Sequence, residues 1–114
     1  MKNILLTFIL LNSLVIVGQN IQPQIPGTNK NLINPDSLIL NPIIKLDSNF
    51  QLISLSIEMT CNGGIKEFKQ EGLTLKKNIL ETIKQLKRGN TIIFKITALY
   101  EEELYKWYKT FVVK

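Results

Sequence analysis

The clearest pattern in the chain is an alternation of apolar and polar side chains over residues 50–61. Successive side chains of a β-strand point to opposite faces, so an alternation of this length predicts a strand with one buried face. The residues predicted to share that buried face are Ile53, Leu55, Ile57 and Met59. Asn62 and Gly63 follow, a pair that favours a tight hairpin turn. Residues 65–70 are therefore predicted to fold back as a second, shorter strand.

The spacing of apolar residues changes from two to between three and four after Gly72, which is typical of a helix. The side chains predicted to form one buried helical stripe are Leu75, Ile79, Leu80, Ile83 and Leu86. Thr74 is the predicted N-cap, and Gly89 is the residue expected to leave the helix in a left-handed conformation. These signals predict one covering helix over about residues 74–88.

Two further strands complete the predicted sheet. Residues 92–97 alternate with a period of two, which predicts a strand that reaches about Tyr100. Residues 101–103 are three glutamates, interpreted as an exposed hairpin connection, with a helical continuation as the alternative. Aromatic and β-branched residues at period two over 104–113 favour a strand. The predicted fold is α+β and mainly β: a small antiparallel sheet or sandwich-like domain with one covering helix.

The N-terminal residues have the composition of a secretory signal peptide. Lys2 supplies a positive charge, residues 4–17 are largely apolar, and Gly18 is small enough for a cleavage site. The apolar run is shorter than the roughly 20 residues needed to span a bilayer. Cleavage after Gly18 is therefore favoured over an uncleaved anchor, with no membrane span afterwards. The protein is therefore expected to be exported and periplasmic, with secretion or a position on the cell surface as the alternatives.

A single domain over residues 37–114 is predicted to follow a flexible tether. Residues 19–36 are rich in Asn, Gln and Pro and lack an apolar period, so they are expected to remain flexible. Short strands are predicted at residues 38–40 and 43–46, separated by the Asn41–Pro42 breaker.

The positive charge of the chain is concentrated in and around the predicted helix. The net charge is +5, and residues 66–88 contain seven basic and three acidic residues. This pattern is compatible with a solvated helix face and with a docking face for an acidic partner. The candidate partner-binding residues are Lys76, Lys77, Lys84, Lys87 and Arg88. Nucleic acid is not an expected partner, since aromatic side chains are not interleaved with these cations.

No residue pattern indicates catalysis. The chain has no histidine, which removes the common catalytic triads and most transition-metal sites. The single cysteine, Cys61, cannot form an internal disulfide and is predicted to be a buried thiol, with an intermolecular bridge as the alternative. The aromatic residues near the C-terminus could supply core area or a binding stripe: Tyr100, Tyr105, Trp107 and Tyr108. We predict a non-enzymatic protein with no cofactor, no metal site and no catalytic residues.

Several segments together resemble the C-terminal domain of the GldM family, the shaft proteins of gliding motility and type IX secretion. The resemblance covers residues 46–114. Its most specific part is Lys87-Arg88-Gly89-Asn90 followed by the apolar strand over 91–98. The supporting segments are the strand at 50–57, the Asn62-Gly63-Gly64 turn, Leu73-Thr74 opening a helix, and the closing Phe111-Val112-Val113-Lys114.

The resemblance implies a β-rich, sandwich-like periplasmic module that contacts other envelope proteins without catalytic residues. The chain departs from the family in lacking an inner-membrane helix, a helical bundle and preceding β domains. It also has glutamates at 101–103, where the family has a Gly/Asp-rich turn. A free-standing relative with a different partner is therefore expected.

Two functions stay open at this point, and a third, a small hydrolase, would need close carboxylates in a cleft. One is an exported interaction module that contacts cell-envelope proteins, such as secretion or gliding machinery, through strand edges and the basic helix region. The other is a small inhibitor or ligand-binding protein that holds an apolar ligand between helix and sheet. A cavity over Ile79, Ile83 and Phe94 would favour the second, and a filled core with an open sheet edge the first. Self-association is compatible with either function.

Overall fold

The computed structural model of the chain describes residues 22–61 and 63–114. In chain order the elements are β1 (Thr28–Asn29), β2 (Leu32–Ile33), α1 (Pro35–Leu40), β3 (Gln51–Cys61), β4 (Gly64–Gln70), α2 (Lys77–Lys84), β5 (Thr91–Tyr100) and β6 (Glu103–Val113). The strands form one six-stranded sheet in the spatial order β1-β2-β6-β5-β3-β4. Neighbouring strands are antiparallel, except that β2 runs parallel to β6. The mainly β fold is confirmed, as a single mixed sheet within the described residues.

One face of the sheet carries the core, and both helices cover it. The alternation in β3 and β5 places Ile57 and Phe94 opposite each other on this face, both completely buried. Leu38 of α1 and Ile79 and Ile83 of α2 belong to the same buried cluster. Because apolar area removed from water is the main stabilising term in folding, this helix-covered face holds the domain together. The other face carries more polar side chains from the same strands, such as Glu58, Lys95 and Lys106.

A β-bulge in β3 overturns one predicted core position. The pairing register between β3 and β5 shifts between Leu52 and Ser54. An extra residue in one strand reverses which face the neighbouring side chains occupy. Ile53 is therefore 45% exposed, and its predicted burial is wrong. Leu52 packs against the core in its place.

The covering helix α2 is shorter than the predicted span of 74–88. Lys76 is its N-cap, without a side-chain capping bond, and the helix ends at Lys84. The predicted cap, Thr74, instead forms an isolated antiparallel bridge with Ile43. The buried Gln70 amide holds this connection, since its Nε2 donates to the Thr74 carbonyl at 2.8 Å and its Oε1 accepts from the Lys76 N–H at 3.2 Å. These bonds keep Thr74 extended, which excludes it from the helix.

Residues 22–36 form ordered structure where a flexible tether is predicted. They contain β1, β2 and the start of α1, and they bury Ile25 and Ile33. Backbone bonds in both directions join Gln24 to Lys45, at 2.8 and 2.9 Å. The average composition of this segment is polar, but its backbone is paired and its two isoleucines reach the core. The predicted signal peptide over residues 1–18 lies outside the described residues.

The first helix replaces a predicted strand at residues 38–40. The Asn34 side chain caps it by accepting from the Asp36 N–H at 3.0 Å, and Pro35 occupies the first turn. Asparagine at the N-cap followed by proline is a recognised helix start. The strand predicted at 43–46 is likewise absent, and this stretch makes only isolated bridges.

Among the described residues, no helix is long and apolar enough to cross a membrane.

We expect Gly27→Ala to destabilise the domain, because residues 22–36 pack closely around Gly27. Gly27 has φ +78°, and an added Cβ would lie 2.8 Å from the Asn34 carbonyl oxygen. Gly63 has φ +76° with open space around it, so Gly63→Ala is a matched control for backbone strain alone. The control is expected to cost about 1–2 kcal/mol, and Gly27→Ala at least about 1 kcal/mol more because of the contact. Urea denaturation measures both values, and equal losses would contradict the packed N-terminal segment.

Candidate interaction surfaces

The β5–β6 hairpin fixes the orientation of every residue in the last strand. Glu101 and Glu102 have φ values of +49° and +67° and connect the strands, with Tyr100 paired to Glu103. Two residues at positive φ are typical of a tight hairpin turn, so the predicted exposed connection is confirmed. The pairing then continues without a shift to Thr91 and Val112.

Within residues 22–61 and 63–114, a strand pairs with the outer side of β6 only at its C-terminal end. The N–H groups of Val112 and Lys114 donate to the carbonyls of Asn31 and Ile33, at 2.8 and 3.0 Å. Backbone groups of a strand point alternately to its two neighbours, so every second residue of β6 points the same way. The residues whose backbone therefore faces outward are Leu104, Lys106, Tyr108 and Thr110. No described strand pairs with them, and we call these four residues the β6 edge.

The β6 edge combines apolar and basic side chains. Leu104 is 61% exposed and Tyr108 is 69% exposed, with the exposed Lys106 between them. Near the β1–β2 turn the edge meets a cleft of about 210 Å³, whose lining includes Lys30 and Lys109. An unpaired strand with an apolar row and flanking cations presents the groups that pair with an added strand.

The five basic residues singled out in the sequence are all exposed, but they form two groups. Lys84 and Arg88 line a solvent-open cleft of about 380 Å³ together with Asp36 and Lys114. Arg88 and Lys114 also line an adjoining cleft of about 480 Å³ beside Leu32. We call the two together the helix-end cleft. Its charged side chains are three cations and one carboxylate, so these side chains favour an anionic group.

The remaining predicted residues lie away from the helix-end cleft. Lys76 and Lys77 are at the opposite end of α2, and Lys87 belongs to the turn after the helix, where its N–H donates to Asn90 Oδ1 at 2.7 Å. None of the three lines either part of the cleft. Lys114 lines both parts of the cleft, although it is not one of the five predicted residues and lies far from them in the sequence. Its position depends on the parallel pairing of β2 with β6, which no local pattern announces.

The C-terminal aromatic residues divide between the two faces of the sheet. Phe50 is buried and contacts three rings, with centroid distances of 5.0 Å to Tyr100, 5.2 Å to Tyr105 and 5.3 Å to Trp107. These rings extend the core beyond the helices, which agrees with the interpretation as core area. Tyr108 lies on the opposite face and is exposed. The four residues therefore do not form one stripe.

The side chains between helix and sheet are buried and belong to the core. Ile79, Ile83 and Phe94 are at most 1% exposed and belong to one cluster. None of them lines the best-formed clefts in the described part of the chain.

Cys61 is buried, as predicted.

Two carboxylates meet on the open face of the sheet. Glu58 and Glu67 are directly opposite each other across β3 and β4. Lys95 Nζ lies 3.4 Å from Glu58 Oε1, and Ser56 Oγ donates to Glu67 at 3.1 Å. The two glutamates line none of these clefts. Within residues 22–61 and 63–114, no three Cys, Asp or Glu side chains gather into a group that could hold a metal ion.

Comparison with known proteins adds no relative. The chain matches no protein-family model, no curated protein and no solved structure. The resemblance to the GldM C-terminal domain therefore stays a prediction from the sequence, and the functional interpretation rests on the residues and surfaces described above.

Proposed function

We propose that this chain is an exported, non-catalytic protein-interaction module that binds an extended segment of a partner along the β6 edge. The observation that carries the proposal is the outer side of β6 over residues 104–110, with which no described strand pairs, beside a core that is buried under both helices. The core side chains Ile79, Ile83 and Phe94 line none of the best-formed clefts of the described residues, so no observation there favours an apolar ligand. An open edge offers a row of hydrogen-bonding groups to another chain.

Strand addition explains why an edge of this kind suits recognition. Main-chain hydrogen bonds to the outward N–H and C=O groups supply affinity, and alternating side chains supply specificity. Leu104 and Tyr108 would contact apolar side chains of the added strand on the open face, on either side of Lys106. The edge carries neither proline nor a register shift, two devices that otherwise prevent strand addition. It does carry Lys106, a charge that opposes unselective pairing and favours a partner strand with an acidic residue opposite it.

The charge of the surface favours an acidic partner segment. Lys106 belongs to the β6 edge, Lys30 and Lys109 lie at its end, and Lys84 and Arg88 line the helix-end cleft. Opposite charges across an interface accelerate encounter and suppress wrong partners. Because successive side chains of a strand point to opposite faces, the added strand that matches the β6 edge has an acidic residue opposite Lys106 and an apolar residue two positions to either side of it.

The sequence supports placing this module in the cell envelope. The composition of residues 1–18 favours export, and the resemblance to the GldM C-terminal domain favours a structural or accessory role in a gliding or type IX secretion-like assembly. The alternative is a small inhibitor or ligand-binding protein. The best-formed clefts of the described residues lie outside the space between helix and sheet, so they do not favour it.

The direct test is capture of the partner from the envelope fraction of the source cells after mild crosslinking, followed by hydrogen exchange on the reconstituted complex. The expected result is an envelope protein whose binding slows amide exchange at Leu104, Lys106, Tyr108 and Thr110. Protection confined to another surface, or capture of a small molecule alone, would overturn the proposal.

We also expect reversal of the helix-end charges to weaken the complex. Lys84→Glu with Arg88→Glu removes two cations that attract an acidic segment, so affinity should fall roughly tenfold at low salt. Lys76→Glu with Lys77→Glu makes the same change in net charge at the other end of α2 and serves as the matched control. Titration calorimetry at two salt concentrations measures both variants. Equal losses in the two pairs would mean that only net charge matters.

A further inference from the structure

We propose that β4 is the contact between two copies of this chain, which join their sheets into one continuous antiparallel sheet. This surface is separate from the β6 edge, since β4 and β6 lie towards opposite sides of the sheet. Among the described strands, β4 pairs only with β3, so its other side is unpaired. The proposed occupant of that side is β4 of a second copy.

The hairpin between β3 and β4 determines which backbone groups of β4 face outward. Cys61 pairs with Gly64 across a two-residue connection, which makes them the hydrogen-bonded pair that closes the turn. Hydrogen-bonded and non-hydrogen-bonded pairs then alternate along the ladder. The N–H and C=O groups of Ile65, Glu67 and Lys69 therefore point away from β3.

Among the registers that pair at least five residues of β4 (Gly64–Gln70) in a symmetric dimer, charge favours one. Residues opposite each other across such a pair lie on the same face of the sheet, so the two-fold axis passes through a residue position. An axis at Glu67 would oppose two carboxylates, and an axis at Lys66 would oppose two ammonium groups. An axis at Phe68 places Glu67 opposite Lys69 of the second copy, and this favourable pair occurs twice.

Among the described residues no cation forms an ion pair with Glu67, and the second copy would supply one. Glu67 lies opposite Glu58, and like charges directly across a strand pair are destabilising. Lys95 pairs with Glu58 at 3.4 Å, whereas the contact of Glu67 is the Ser56 hydroxyl at 3.1 Å. In the Phe68-centred register, Lys69 of the second copy lies beside this carboxylate. The like-charge pair within β3–β4 is thereby balanced.

The core-facing side of β4 is compatible with the same register. Phe68 is partly buried and packs at the margin of the core cluster. At the axis, two Phe68 residues would form a non-hydrogen-bonded pair with Cα atoms about 4.5 Å apart, where cross-strand aromatic contacts are favourable. Lys66 would lie opposite the neutral Gln70 of the second copy. The register therefore creates no like-charge contact within β4.

A charge-swap series tests this dimer. Sedimentation equilibrium of the full chain, over micromolar concentrations, should give a dimer for the natural sequence. Glu67→Lys opposes two lysines and Lys69→Glu opposes two glutamates, so each should weaken dimerisation at least about tenfold. The double variant E67K/K69E restores both opposite-charge pairs and should regain the dimer.

Thermal unfolding of each variant separates loss of pairing from loss of folding. Glu67→Lys removes the like-charge contact with Glu58, so the monomer is expected to stay folded. A natural chain that is monomeric throughout would overturn the inference, as would a double variant that behaves like the single variants. Partner capture through the β6 edge is a separate measurement, so failure of either proposal leaves the other standing.

Discussion

Replacement of Phe94 by alanine is expected to destabilise the domain by about 3–5 kcal/mol. Phe94 is completely buried at the centre of β5, opposite Ile57, and its ring lies 6.0 Å from that of Phe111 in an edge-to-face arrangement. Removal of the ring forfeits its buried area and leaves a cavity that the sheet cannot close by a small movement. Urea denaturation followed by circular dichroism measures the change in the free energy of unfolding.

Phe68→Ala is the matched control, because Phe68 has the same side chain on the edge strand and is only partly buried. Its loss at low protein concentration should be clearly smaller than that of Phe94→Ala, since less area leaves the core. A loss below about 1 kcal/mol for Phe94→Ala would mean that the site is not tightly packed. That outcome would favour the ligand-binding alternative, which needs space between helix and sheet.

The sequence predicts this core well because the chain alternates regularly where the strands are longest. Ile92, Phe94 and Ile96 follow one period, and the structure buries all three. The turn at Glu101 and Glu102 is also predicted, since aromatic and β-branched residues resume period two directly after it. In both places a local pattern and the final environment agree, so reasoning from short windows succeeds.

The structure of residues 22–36 could not be predicted in this way, because it depends on pairing with residues that are distant in the sequence. Ile25 is a single apolar residue in a polar stretch, Ile33 belongs to the pair Leu32-Ile33, and neither forms a period. They become buried because β2 pairs with the end of β6, about eighty residues away, and because Gln24 pairs with Lys45. The bulge that exposes Ile53 is equally invisible, since it depends on the register between β3 and β5.

The candidate surfaces show the same division. The sequence identifies Lys84 and Arg88 as candidate contacts, but it cannot bring Lys114 beside them without the parallel β2–β6 pairing. It also predicts a strand at the C-terminus without showing that strand order leaves most of its outer side open. Side-chain chemistry is local information, whereas an open edge follows from topology.

Lys106→Pro is expected to abolish most partner binding while the fold is retained. The backbone of Lys106 points away from β5, so proline removes an outward N–H without breaking a bond of the β5–β6 ladder. Proline is tolerated on edge strands at such positions. An added strand would lose one hydrogen bond and meet the ring, so affinity for the captured envelope partner should fall about tenfold or more.

Lys106→Ala distinguishes the backbone effect from the side-chain effect. It removes the same charge and side chain but keeps the N–H, so binding should weaken only as far as one exposed cation contributes, within about fivefold. Thermal unfolding of both variants checks that the sheet is intact. If Lys106→Pro binds as well as Lys106→Ala, the partner does not add a strand at this edge. The interaction would then rest on side chains, and the helix-end cleft would be the surface to examine next.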